Sequence, residues 1–148
     1  MYHGILVTHS YIRYIILALL VIVIIVSVVG LVNKSPFTRR HDKLGLFLLM
    51  CAHTQLLLGV ILYIVSLVQE RRVQFTAETM KTPALRYFAV EHAVSMVIAV
   101  ALITIARVSA NKTPIDQIKH RRMLLHNTLA LILIIGVVFI LGSPYNTY

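Results

Sequence analysis

Four runs of nearly unbroken apolar residues, each about as long as a bilayer's hydrocarbon core is thick, restrict this chain more than any other feature. Crossing about 30 Å of hydrocarbon takes roughly 20 helical residues. The runs cover about residues 5–32, 44–68, 83–106 and 123–141. Lipid offers no hydrogen-bond partner, so backbone in such surroundings must satisfy itself, which a helix does within one segment. Links of about ten to seventeen residues favour antiparallel packing of sequential helices. The pattern therefore predicts an all-α fold: an integral membrane four-helix bundle, up-down-up-down, forming a single transmembrane domain over residues 1–148.

Composition agrees. Of 148 residues, 59% are hydrophobic and 13% charged, and a soluble domain of this size buries only about two-thirds of its chain's surface. The formal charge of +9 is accounted for by basic loops beside apolar spans. No Lys/Arg stripe on a polar helix points to nucleic acid. The single cysteine, Cys51, lies inside an apolar run, so neither an internal disulfide nor a cysteine-based metal site is expected. No Lys or Arg precedes Arg13 and no small-residue cleavage pattern follows the first run, so no cleavable signal is read.

Local signals mark the ends of the spans. Tyr2, Tyr11 and Tyr14 are placed as interfacial aromatics at the start of the first. Thr82-Pro83 reads as an N-cap followed by proline at the first helical position. Thr113-Pro114-Ile115-Asp116 is a second capping signature, predicting a short surface helix that runs into the fourth span. Gly142-Ser143-Pro144 closes that span. Lys34, Arg39, Arg40, Lys43, Arg107, Lys112, Lys119, Arg121 and Arg122 place nine basic residues on one side, against at most five (Arg71, Arg72, Lys81, Arg86 and Arg13) on the other. The positive-inside rule then puts both termini outside the cytoplasm of a bacterial inner membrane.

Ionisable groups are costly in hydrocarbon, so those inside spans are the functional candidates. They are His9 and Arg13, His53, Glu91 and His92, and His126, with Gln55, Ser95, Asn127 and Thr128 as uncharged companions. Every span carries one histidine. Two imidazoles saturate a haem iron and suit it to electron transfer, and bundle interiors are where facing helices hold cofactors. The plainer reading of each histidine is a donor to a carbonyl on a neighbouring helix. At 1.5 Å per residue from the side of the first loop, His126 stands about 6 Å up, His53 about 14 Å, His92 about 22 Å and His9 about 35 Å. His53 and His92 are thus the expected ligand pair, with His53 and His126 next.

Arg13, about 28 Å up, is expected to pair with Glu91 across the first and third spans. A haem propionate or a quinone headgroup is its alternative partner, because the guanidinium fork suits oxyanions. His3, His41 and His120 fall in loops or at interfaces, and His120, within Lys119-His120-Arg121-Arg122, reads as part of a solvated basic face. The scattered methionines Met50, Met80, Met96 and Met123 read as packing residues.

Three stretches carry a resemblance: His9-Ser10-Tyr11-Ile12-Arg13-Tyr14, Ala52-His53-Thr54-Gln55-Leu56-Leu57-Leu58-Gly59 and Arg86-Tyr87-Phe88-Ala89-Val90-Glu91-His92, with Lys119-His120-Arg121 matching more loosely. With the helix spacing, they make nearly the whole chain resemble small four-helix bacterial membrane proteins labelled cytochrome-b-like. The resemblance implies His9, His53 and His92 as ligands of one or two haem b groups, His120 weakly so; His126 lies outside the pattern. The resulting expectation is a haem-b protein passing electrons between a quinone pool and a partner, alone, as a homo-oligomer or in a larger complex. The alternative is a haem-free accessory subunit packed in a larger membrane complex, which the lack of any nucleophile, phosphate loop or complete metal motif favours. A proton conduit through the histidines ranks last for want of a continuous polar stripe.

Overall fold

The computed structural model describes residues 2–68 and 76–142. Four long helices make up nearly all of it: α1 (Tyr2–Val32), α2 (Arg39–Val68), α4 (Pro83–Asn111) and α5 (Asp116–Leu141), with a five-residue turn of helix, α3 (Ala77–Lys81), before α4. All four long helices are apolar and long enough to cross a membrane, and no strand occurs among the described residues. The protein is an all-α four-helix bundle of multi-pass membrane type.

α2, α4 and α5 extend beyond their apolar runs, each for a local reason. α2 begins at Arg39, five residues before its apolar run, because Thr38 and His41 close its first turn: the Thr38 N–H donates to His41 Nδ1 at 3.0 Å. This is the backbone-capping half of a capping box, with histidine in the usual Glu/Gln place. α4 continues past Ala106 to Asn111, its added turn carrying Arg107, which pairs with Asp42 of α2 at 2.9 Å. The surface helix expected after Thr113 and the fourth span are one continuous element, α5. Its entry is held by the Thr113 hydroxyl, which accepts the Ile115 N–H at 3.3 Å. At the head of α4, Pro83 does sit in the first turn, but the Thr82 side chain does not cap it. Arg71, Arg72, Ser143 and Pro144 lie outside the described residues.

α1 packs chiefly on α2 and α5, and α4 on the same two, so α1 and α4 stand diagonally across the bundle. The core is a column of Leu20, Leu48 and Met123 set among small residues: Ala52, Ala99, Ala106, Ala110 and Ala130 are all buried. Small side chains let helix backbones approach closely, which is how packing is gained where lipid removes the hydrophobic drive between helices. The outer faces present Val21, Ile22, Ile25, Phe47, Ile105 and Ile132. Such a belt would be an aggregation hazard in water and is the natural surface in lipid.

Candidate functional site

Polar side chains gather at the end of the bundle where α1 begins. His9 and Arg13 lie one turn apart on the same face of α1. α2 holds this turn through Gln55, whose Nε2 donates to the His9 carbonyl at 2.8 Å. Gly59, one turn further along α2, makes room for the imidazole: a Cβ there would stand 3.3 Å from His9 Cε1.

From the opposite corner comes α4, which opens with a π-turn at Tyr87–Glu91 closed by the His92 N–H on the Tyr87 carbonyl. Such turns insert a residue into the α-helical ladder and concentrate at functional positions. Here the turn buries Tyr87 to 1% exposure. The Tyr87 hydroxyl donates to the Val137 carbonyl at 3.2 Å and lies 3.5 Å from His92 Nδ1. Val137 sits in a second π-turn, Gly136–Leu141 of α5, so its carbonyl accepts both this hydroxyl and the Gly142 N–H at 2.9 Å.

His9 and Arg13 on α1 and His92 on α4 all lie toward the same end of the bundle. The two diagonal helices thus bring His9 and His92 to one interior region. The depths agree: His9 is about 10 Å from the start of α1 and His92 about 14 Å from the start of α4. Around them, buried His9 Nδ1, Arg13 Nε and Gln55 Oε1 have no hydrogen-bond partner among the described residues. An unsatisfied buried polar group costs about 1–3 kcal/mol, so these three atoms are the least satisfied part of this end of the bundle.

The expected Arg13–Glu91 pair does not form. Glu91 instead pairs with Arg86 at 2.7 Å, because the wide π-turn lines up residues five apart. Arg13 donates to the Tyr14 hydroxyl at 3.4 Å. His53 is exposed on the outer face of α2 beside buried Ala52, with Nδ1 on the Leu49 carbonyl of its own helix at 2.9 Å. His126 is half-buried and bonded in the same way to the Arg122 carbonyl at 2.9 Å. The bundle interior therefore gathers His9 and His92 and leaves His53 outside.

His120 corrects a second expectation. It is no part of a solvated face but wholly buried at 0% exposure, its ring 5.0 Å from that of His41 and 5.1 Å from that of Phe37. It lies against Gly30, where any Cβ would overlap the ring. The legible signal was that glycine, a missing side chain in an otherwise bulky stretch of α1.

Among the described residues no three His, Cys, Asp or Glu side chains converge to hold a metal ion by themselves. No protein-family model matches the chain, and no curated protein and no solved structure matches it.

Proposed function

We propose that this chain is a membrane-embedded haem-b electron-transfer protein, linking a quinone pool to a partner, in which His9 and His92 are the axial ligands. The observation that carries the reading is the diagonal histidine pair at matching depth, set among buried polar atoms that lack partners among the described residues. When bound, a bis-imidazole haem supplies one-electron transfer without open coordination for oxygen.

The chain's own residues fit that role. The Tyr87 hydroxyl donates its hydrogen bond to the Val137 carbonyl and so leaves its oxygen as an acceptor for His92 Nδ1–H. That selects the tautomer whose Nε2 lone pair is free, as outer partners of ligating histidines do. Gln55 anchors the backbone at His9 and Gly59 leaves its ring space, which limits rotation about α1. Arg13 keeps an unpaired guanidinium N–H one turn away, suited to a propionate or to a quinone headgroup oxygen. The resemblance of the stretches around His9 and His92 to cytochrome-b-like proteins supports these two as ligands, although it names His53 equally. With the basic loops inward, this site lies toward the non-cytoplasmic side.

The test is the reduced-minus-oxidised spectrum of the full chain purified from cells supplied with haem. Sharp low-spin b-type bands are expected, lost in His9→Ala and in His92→Ala and kept in His53→Ala. A colourless wild-type protein would instead favour the haem-free accessory subunit. Loss of the bands only in His53→Ala would move the ligand to the outer face.

A further inference from the structure

At the opposite end of the bundle, where α1 ends and α2 begins, a groove of about 590 Å³ is lined by Val26, Thr38, Arg39, Arg40, His41 and Leu44. Neither Arg39 nor Arg40 makes an ion pair or a side-chain hydrogen bond among the described residues. The acid nearest in sequence, Asp42, is engaged by Arg107 and by Asn111. The rim is thus a pair of uncompensated guanidinium groups over the first turn of a 30-residue helix, whose free N–H groups and dipole add to the positive potential.

The floor is different in kind. Val26 lies about 9 Å below the end of α1 and Leu44 about 8 Å below the start of α2, so both stand at the same depth. From there two apolar stripes continue inward at helical spacing, Leu44 to Phe47 on α2 and Val26 to Ile22 on α1. Phe47 is 53% exposed and Ile22 45%. A cationic rim at the membrane boundary above exposed apolar side chains matches a molecule with an anionic head and a hydrocarbon tail. A free phosphate would use only the rim. Basic pockets of this kind between transmembrane helices bind lipid headgroups.

We propose that this groove binds an anionic phospholipid, its phosphate between Arg39 and Arg40 and the start of one acyl chain along Val26, Leu44 and Phe47. Native mass spectrometry of the full chain, titrated separately with dioleoyl phosphatidylglycerol, dioleoyl phosphatidylcholine and inorganic phosphate, tests it. Wild type should prefer the glycerol lipid to the choline lipid. Each arginine near the anionic group contributes about fivefold, so Arg39→Gln/Arg40→Gln should weaken that lipid about twenty-five-fold and Arg40→Gln alone about fivefold. The charge-matched control Lys112→Gln/Arg121→Gln, at exposed positions outside the groove, should bind as wild type does. Millimolar inorganic phosphate should not displace the lipid. Equal affinity for the two lipids, full retention in the arginine variant, or an equal loss in the control would each overturn the proposal. Displacement by phosphate would show a free-anion site instead.

Discussion

Arg13 shows how one charge can be read in two ways. In hydrocarbon a lone guanidinium demands a partner, and Glu91 stood at a suitable height. Yet Glu91 bonds Arg86 at 2.7 Å, with the two side chains 33% and 45% exposed, so this pair is worth no more than about 1 kcal/mol. Arg13 keeps a buried Nε without a partner. Replacing it by glutamine therefore removes a desolvated charge and breaks no bridge, and thermal stability of the haem-free protein in detergent should be unchanged or higher. A double-mutant cycle between Arg13→Gln and Glu91→Gln should couple by less than about 0.5 kcal/mol, as unconnected sites do. A loss on Arg13→Gln that Glu91→Gln restores would return the bridge to the first and third spans.

At the scale of elements, the two π-turns matter most. Tyr87–Glu91 in α4 and Gly136–Leu141 in α5 face each other, tied by the Tyr87 hydroxyl on the Val137 carbonyl at 3.2 Å. Gly142 leaves the space for this ring: a Cβ there would come within 2.7 Å of Tyr87 Cζ and 2.8 Å of the Val138 carbonyl. The link sets the rotation of α4 about its axis and with it the direction of His92. Tyr87→Phe keeps the ring and removes only the hydroxyl, so it should cost about 1 kcal/mol in detergent unfolding. It should also weaken haem retention roughly 10–100-fold, the usual effect of losing a ligand's outer partner. Unaltered stability and haem content would show that the hydroxyl positions nothing. Neither turn has a sequence signature, since Tyr-Phe-Ala-Val-Glu would sit equally well in an α-helix.

For the whole molecule, charge distribution sets the expected orientation. The loops after α1 and α4 and their flanks carry nine Lys and Arg, against at most five on the other side, so the former are expected in the cytoplasm. In a chain with Cys51→Ala, cysteines at exposed Asn33 and Lys112 should resist an impermeant maleimide in intact cells, while one at exposed Met80 should react. The reverse pattern would invert the protein and place the His9–His92 end on the cytoplasmic side. Either way the polar interior and the basic groove occupy opposite ends, which keeps tests of one independent of the other.

The sequence by itself determined four helices, their order and their antiparallel run. Those follow from the length of apolar runs and from the backbone's need to satisfy itself in lipid, both of which are properties of contiguous segments. It also pointed to His9, Arg13, His53, Glu91, His92 and His126 as ionisable groups within the apolar runs, but not to the burial of His120. It did not determine which of them meet. Height was legible only to the accuracy of helix ends: α4 runs to Asn111 instead of about Ala106, which lifts His92 by about 8 Å toward His9. The extra turn exists because Arg107 finds Asp42 on another helix. Rotation about each helix axis was not legible, because spans apolar on every side have no polar face to show which way they point. Only packing against neighbours turned His53 outward, His92 inward and His120 under Gly30, since in lipid it is close contact between small and large side chains that decides which face of a helix is buried.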